Sequence, residues 1–315
     1  MGAEMKIIQM SDVQTEDVRW LWYPYIPYGK ITIIQGDPGD GKTTFVLALS
    51  ALLTKGQSMP NTNECSEPIT VIYQTSEDGL ADTIKPRLEK AGADCTRVCV
   101  IDESEQGLSF ADERLESAVK QLGAKLLILD PLQAYLGSQV DMFRPNEVRP
   151  LFKKLTSVAE RTGCAIVIIG HMNKMSGAKA LYRGLGSIDI PAAARSILLI
   201  GKSKENPDKR VMAHLKSSLA PTGQSIVFEL GECFKWSGTS NISAEELASG
   251  SGFLPTKKAQ ATEMLTELLS AGERPCTEIY EYFDELGIGR RTVDNAKKEL
   301  GIQSKRKGDA WYWRL

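Results

Sequence analysis

Short apolar runs alternate with longer amphipathic stretches from residue 31 to about residue 230. Several of the runs are apolar at nearly every position, which is typical of strands buried on both faces of a parallel sheet. We therefore predict an α/β fold with a mostly parallel central sheet, in which the last two strands follow each other without a helix and are antiparallel. The predicted strands are 31–35, 69–75, 98–102, 125–130, 165–170, 196–201, 210–215 and 226–230, and the predicted helices are 44–55, 78–91, 111–122 and 147–162.

The periodic pattern stops near residue 238, where the chain becomes rich in Gly, Ser, Ala and Glu. Such a composition predicts a linker over 238–256 between a first domain, 1–237, and a second, 257–315. In the second domain we predict helices over 257–270, 277–286 and 290–300, and then a hairpin that turns at Lys307-Gly308-Asp309. Three short helices and a hairpin are the outline of a winged helix-turn-helix domain.

Composition narrows the class of protein. The 315 residues are 42% hydrophobic and 25% charged, with a net charge of −2. No apolar run approaches the roughly 18 residues that a membrane span needs, and residues 1–9 lack the pattern of a secretory leader, so we expect no membrane contact and a cytoplasmic location. The six cysteines are scattered without a C-x-x-C pair, which argues against zinc and against disulfides.

One segment carries a specific motif. Gly36-Asp37-Pro38-Gly39-Asp40-Gly41-Lys42-Thr43 fits G-x-x-x-x-G-K-T and lies between an apolar strand and a helical pattern that opens with Thr44. In this context the motif, together with Thr44, predicts a loop that binds the phosphates of a nucleoside triphosphate. Lys42 would reach the β- and γ-phosphates, and the Thr43 hydroxyl would hold Mg²⁺.

Three further polar residues follow predicted strands. Asp130 ends an apolar run, at the sheet edge where ligands bind in such folds, and is the second predicted Mg²⁺ ligand. Glu77 follows the second strand and is the predicted base that activates water, with Asp78 as the alternative. His171 follows the fifth strand and is the predicted γ-phosphate sensor. The simpler interpretations are a turn residue for Asp130, a first-turn residue that complements the helix dipole for Glu77, and a structural histidine for His171.

In this order, these motifs resemble those of the RecA-like ATPases, in the branch of the RepA-type plasmid helicases and DnaB-type replicative helicases. The resemblance covers residues 15–232 and depends on GDPGDGKT, Ser76-Glu77-Asp78, LLILDP and IIGHMNK. It implies ATP as the nucleotide and a homo-hexameric ring with ATP between subunits. A basic residue of the neighbouring subunit then completes each site, as an arginine finger does.

At the corresponding strand end, Lys216 keeps the first basic position of the family pattern, whereas Ser218 does not keep the second. Lys216 is therefore the predicted trans-acting residue, and Arg210 is a weaker candidate. The resemblance also implies that loops 136–150 and 174–187 contact single-stranded DNA. The basic residues predicted to do so are Arg144, Lys174, Lys179 and Arg183.

The end of the chain reverses the overall sign of charge. Residues 289–315 contain eight basic and three acidic residues, a local charge of +5. On a third helix and a hairpin, this charge suits contacts with DNA phosphates. The alternative is a small packing or protein-interaction domain. The predicted nucleic-acid contacts here are Arg290, Arg291, Lys305, Arg306 and Lys307.

These features favour an ATP-hydrolysing ring ATPase that acts on DNA, specifically a replicative-type helicase of a plasmid, phage or mobile element. The alternative is an ATP-dependent switch that binds duplex DNA in transcription, partition or recombination without unwinding it. A small-metabolite kinase is a weaker third hypothesis, because nothing resembles an acceptor lid and the C-terminal region is basic.

Overall fold

The computed structural model describes residues 7–63, 65–137, 140–142, 144–171, 189–203, 206, 208–250, 257–270, 272–285, 288–308 and 310–315. The chain divides into two compact units, Met1–Ala248 and Ser249–Leu315.

A nine-stranded sheet forms the centre of the first unit. The strands of this unit are β1 (Trp20–Trp22), β2 (Ile26–Pro27), β3 (Ile31–Gly36), β4 (Val71–Thr75), β5 (Val98–Cys99), β6 (Leu126–Asp130), β7 (Ala165–His171), β8 (Ser196–Lys202), β9 (Lys209–Ser217), β10 (Ser225–Leu230) and β11 (Phe234–Ser240). Along the sheet the order is β11-β10-β9-β8-β3-β7-β6-β4-β5, and β1 pairs with β2 separately. The strands from β8 to β5 are parallel, whereas β9, β10 and β11 alternate in direction. The predicted α/β class, with a mostly parallel central sheet and an antiparallel end, is confirmed.

Helices cover both faces of this sheet. They are α1 (Lys42–Thr54), α2 (Lys85–Ala91), α3 (Glu113–Leu122), α4 (Pro145–Thr162), α5 (Asp189–Ala193) and α6 (Ala244–Gly250), with a π-helical turn at Leu80–Ile84. Successive residues of a strand point to opposite faces, so Ile34 packs in a cluster with residues of α1 and α2, and Ile33 in a cluster with residues of α3 and α4. Among the described residues, no helix is long and apolar enough to cross a membrane.

The structure differs from the predicted linker at 238–256. Residues Gly238 to Ser240 belong to β11, which pairs with β10. The next helix, α6, buries Ala244, Leu247 and Ala248 against strands β8 and β9. These apolar positions have helical spacing, but the segment is too short to give a clear periodic signal, and they cover part of one face of the sheet. Residues 251–256 lie outside the described residues.

The second unit consists of short helices and a small antiparallel sheet. Its elements are α7 (Lys257–Ser270), β12 (Arg274–Pro275), α8 (Cys276–Glu285), α9 (Arg290–Glu299), β13 (Gln303–Lys307) and β14 (Ala310–Arg314). Strand β14 lies between β12 and β13. The core includes Leu265, Phe283, Val293 and Trp313. The helices and hairpin occur in the predicted order, whereas the two-residue β12 was not predicted.

A buried histidine connects three parts of the first unit. His214, on β9, is 7% exposed. Its Nδ1 accepts the backbone N–H of Gly223 at 3.2 Å, and its Nε2 lies 3.1 Å from the Ser196 hydroxyl oxygen. Burial lowers the pKa of His214 from 6.5 to about 4. The ring is therefore neutral at pH 7, and the proton that it carries lies on Nε2.

We expect acidification to destabilise the first unit through His214. Its folded pKa of about 4 lies below the ordinary 6.5, so the unfolded chain binds the proton first. The free energy of unfolding therefore falls as pH drops from 6.5 towards 4, by about 3 kcal/mol at most. Urea unfolding across this range measures the slope.

The substitution His214→Gln removes the titrating group and should remove this part of the slope. The matched control is His171→Gln, which changes the second of the two histidines and should keep the slope. Equal slopes in the two variants would contradict the assignment to His214.

Candidate nucleotide site

The predicted phosphate loop joins β3 to α1 and is shaped by close backbone approaches. A Cβ atom on Gly36 would lie 2.3 Å from the carbonyl oxygen of Ile200, and one on Gly41 would lie 2.4 Å from Leu230 Cδ1. Gly41 also has a φ of +88°, a left-handed conformation, at the position that caps α1. Glycine is therefore required at both positions, and the loop leads directly into a helix N-terminus, where backbone N–H groups favour anions.

Lys42 is buried within this loop at 4% exposure. Its Nζ donates to the carbonyl oxygens of Gly36 and Asp37, both at 2.8 Å. Burial lowers the pKa of Lys42, and the nearby carboxylate of Asp40 opposes that shift. The two carbonyls therefore hold the ammonium at the loop, where a bound triphosphate would meet it.

Asp40 has a bracing role that the motif alone does not reveal. The backbone N–H of Asp37 donates to its Oδ2 at 3.0 Å. Burial raises the pKa of Asp40, whereas the positive charges of Lys42 and Arg210 lower it. Arg210, the weaker trans-acting candidate, thus lies near the loop of its own chain.

The two predicted Mg²⁺ ligands are in contact. The Thr43 hydroxyl donates to Asp130 Oδ2 at 2.8 Å, and the Tyr73 hydroxyl donates to the same oxygen at 2.8 Å. Asp130 is 5% exposed, and its burial raises its pKa while these two hydrogen bonds lower it. Sequence reasoning missed Tyr73, which no local pattern distinguishes from a core tyrosine of β4.

This donor set fits Mg²⁺. Hydroxyl and carboxylate oxygens are hard ligands, and Mg²⁺ commonly takes one or two protein oxygens together with water and substrate phosphates. The described residues contain no cluster of three or more His, Cys, Asp or Glu able to hold a metal ion. Thr43 and Asp130 would therefore hold the ion only jointly with phosphate.

Glu77 and His171 lie beside this pair. Thr75, two residues before Glu77, pairs with Asp130, and Gly36 pairs with His171, so the strand ends share one sheet edge. Glu77 Oε2 lies 3.7 Å from His171 Nε2. His171 Nδ1 is buried and has no hydrogen-bond partner among the described residues. The edge therefore brings an acceptor carboxylate and an imidazole next to the phosphate loop.

Asp78, the alternative base, is engaged elsewhere. Its backbone N–H donates to the Thr75 hydroxyl at 3.3 Å, and its carboxylate accepts from Arg87 at 3.1 Å. The exposed carboxylate of Glu77 has the nearby His171 instead. The geometry thus favours Glu77 over Asp78 as the group that meets a water molecule at the site.

Lys216 lies away from the phosphate loop of its own chain. It pairs with Ile197, near the start of β8. Its Nζ donates to the carbonyl oxygens of Pro191 and Ala194, both at 2.7 Å. Burial, and after it the positive charge of Arg195, lowers the pKa of Lys216.

Arg195 is a basic residue to which sequence reasoning gave no role. It is exposed, and its carbonyl accepts the backbone N–H of Ser218 at 3.0 Å. Its guanidinium therefore belongs to the same strand end as Lys216 and Ser218. The signal in the sequence is a charged residue immediately before an apolar strand, but spacing alone cannot pair it with residue 218.

The predicted nucleic-acid residues fall in three places. Arg144 directly precedes α4 and pairs with Asp141 and Glu147, both at 3.3 Å, the arrangement of an ordinary solvated surface. Residues Lys174, Lys179 and Arg183 lie outside the described residues. The C-terminal predicted contacts are all exposed on α9 or β13, and they are Arg290, Arg291, Lys305, Arg306 and Lys307.

Comparison with known proteins gives a family and several relatives. The family described as AAA domain matches residues 5–177, more than half of the chain. A protein named DNA repair protein RadA from Halalkalibacterium halodurans is 24% identical over 209 residues, which cover 65% of this chain and 40% of that protein. The protein of the same name from Bacillus subtilis is 23% identical over 230 residues, covering 71% of this chain and 44% of the relative. The chain thus spans less than half the length of these relatives.

Among solved structures, a KaiC-like protein from Pyrococcus horikoshii aligns with a TM-score of 0.48 at 17% identity, over 67% of this chain and 91% of that one.

We expect Glu77→Gln to keep nucleotide binding and to slow hydrolysis by roughly a hundredfold or more, because an amide cannot take the proton from water. Equilibrium binding of a fluorescent ATP analogue and single-turnover hydrolysis measure the two steps. Asp78→Asn is the matched control, since its carboxylate pairs with Arg87, and it should retain most of the rate. If the Glu77→Gln protein hydrolysed ATP at a near-normal rate, another residue would be the base.

Proposed function

Because the chain belongs to the AAA domain family of ATPases, we propose that it hydrolyses ATP in a ring of several copies while bound to DNA, and that it moves along single strands as a helicase does. The observation that carries the proposal is the convergence of two pairs at one sheet edge. The Thr43 hydroxyl oxygen lies 2.8 Å from Asp130 Oδ2, and Glu77 Oε2 lies 3.7 Å from His171 Nε2.

In the proposed reaction, Lys42 and the loop N–H groups hold the triphosphate. Bound Mg²⁺ would neutralise charge on the β- and γ-phosphate oxygens. Glu77 accepts the proton of the attacking water, and His171, whose Nε2 lies 3.7 Å from Glu77, meets the γ-phosphate. Tyr73 orients the Asp130 carboxylate through its hydrogen bond. These contacts support hydrolysis, not transfer to a small metabolite.

DNA association is proposed from charge and from relatives. The end of the chain carries a local charge of +5, eight basic against three acidic residues over 289–315, and the predicted contacts there are exposed. The RadA relatives are named as DNA repair proteins. A winged-helix role for the second unit fits its helices and hairpin, because that fold places a helix against a duplex.

The sheet edge at which β8 starts and β9 ends supports a nucleotide site shared between neighbouring subunits. Arg195 offers an exposed guanidinium beside Lys216, and its backbone is bonded to that of Ser218. We propose that Arg195 supplies in trans the charge that Ser218 lacks, with Lys216 as its neighbour. An arginine finger stabilises the charge of the phosphoryl-transfer transition state.

One observation favours a second candidate, a slow ATP-dependent switch on duplex DNA. The Lys216 ammonium is bonded to two carbonyls of its own chain at 2.7 Å. An ammonium held by two carbonyls would contribute less positive charge to the nucleotide site of a neighbouring subunit, so hydrolysis would be slow. The two candidates differ in the form of DNA that they prefer.

The ATPase rate of the full chain, alone, with a single strand and with a duplex, tests the proposal. We expect single strands to raise the rate several-fold, and the mass in solution to correspond to several copies. Lys42→Ala is the control and should be inactive throughout. An unchanged rate with single strands, together with no strand separation, would refute the motor, and a strong preference for duplex would support the switch.

Mixing two inactive variants tests the shared site. Arg195→Ala should slow hydrolysis by roughly a thousandfold while nucleotide binding is kept, and Glu77→Gln should also be inactive. A mixed assembly contains interfaces that combine an intact Glu77 with an intact Arg195 from the neighbour, so mixing should restore part of the activity. Lys235→Ala, at an exposed lysine of β11, should stay active. No recovery on mixing would place Arg195 outside the neighbouring site.

A further inference from the structure

One tryptophan differs from the others in its exposure. The chain has five tryptophans, all within the described residues, and Trp311 alone among them is exposed, at 50%. Trp313, two residues later on β14, is 3% exposed and belongs to the core of the second unit. The Trp311 indole therefore keeps part of a large, flat aromatic face accessible to a ligand.

The hairpin register places Trp311 beside a cation. Directly opposite residues of an antiparallel pair share one face of the sheet, and Arg306 is opposite Trp311 just as Ser304 is opposite Trp313. The inner ring, Trp313, is buried, and both residues of that pair have a partner, because Lys297 Nζ lies 4.2 Å from the centroid of the Trp313 ring and donates to the Ser304 hydroxyl at 2.6 Å. The outer pair is nearer the turn and remains exposed.

Two other aromatic rings of this unit already have a cationic side chain over their faces. Arg290 lies over the Tyr280 ring at 5.1 Å, and Lys307 over the Tyr312 ring at 5.6 Å. Lys307 is also paired with Glu273. Within the described part of the chain, the side chains of Trp311 and Arg306 have no hydrogen bond, ion pair or ring contact. Both groups are therefore available to an external partner.

We propose that Trp311 and Arg306 form a stacking platform for an unpaired base of single-stranded nucleic acid. This inference deepens the proposed function and rests on its DNA association. An exposed indole binds the flat face of a base, and a base in a duplex has both faces covered by its neighbours. Arg306, on the same face of the hairpin, is placed to take the adjacent phosphate.

Charge and shape together select this partner. The five residues of β13 are all exposed, and three of them are basic, which favours a polyanion. An acidic peptide would satisfy the arginine but would leave the indole without a flat partner. A nucleotide with an unpaired base provides both a phosphate and an aromatic face.

Three ligands of equal length separate base stacking from phosphate contact and from duplex binding. They are an oligothymidine, an abasic strand and a duplex. For the full chain, Trp311→Ala should weaken oligothymidine binding roughly tenfold and leave the abasic strand and the duplex unchanged. Trp311→Phe keeps a ring and should lose less. Arg306→Ala should weaken the oligothymidine and the abasic strand alike. Fluorescence anisotropy of labelled strands measures each affinity.

A second measurement uses the unmodified protein and does not depend on how a variant folds. Oligothymidine should quench tryptophan emission, and the abasic strand should not, because Trp311 is the exposed indole. The platform is refuted if quenching is absent, if Trp311→Ala binds oligothymidine normally, or if duplex affinity falls equally.

The outcome is distinguishable from failure of the proposed function. Normal oligothymidine binding by Trp311→Ala, with a rate of ATP hydrolysis that single strands still raise, refutes the platform and leaves the motor standing. A protein that binds no nucleic acid in any form refutes both.

Discussion

The buried carboxylate of Asp130 is the constraint on which the candidate site depends. A carboxylate at 5% exposure is costly unless donors surround it, and two hydroxyls provide them. Thr43 comes from the first turn of α1, and Tyr73 comes from β4. One oxygen thus ties the phosphate loop, β6 and β4 together, and satisfying that charge fixes the edge at which Glu77 and His171 meet.

The parts predicted from sequence are those with strong local signals. Strands buried on both faces give continuous apolar runs, so β3, β6, β7 and β8 were predicted within a residue or two of their bounds. The glycines of the phosphate loop mark close approaches to Ile200 and Leu230, which their spacing in the motif anticipates. Residues at the carboxyl ends of parallel strands must share one edge, so the meeting of Glu77, Asp130 and His171 follows from topology.

The parts not predicted depend on contacts distant in sequence. Tyr73 reaches Asp130 across 57 positions, and no local pattern distinguishes it from a core tyrosine. Arg195 lies beside Lys216 only because β8 and β9 are antiparallel neighbours. The strand β11 and the helix α6 resembled a linker because few of their residues are apolar, although those few cover the sheet.

One continuous segment of the chain connects the proposed γ-phosphate sensor to the proposed DNA contacts and to the proposed site of the neighbouring subunit. His171 ends β7 immediately before the segment 172–188, and α5 follows that segment. Lys216 holds α5 and the residue after it through the carbonyls of Pro191 and Ala194. A γ-phosphate at His171 and a neighbouring site at Lys216 would therefore act on the two ends of one segment. That segment carries three of the predicted DNA contacts, Lys174, Lys179 and Arg183. In the proposed motor, a change at either site would therefore shift an anchor of the segment that carries these predicted DNA contacts, which is the physical link that coupling requires.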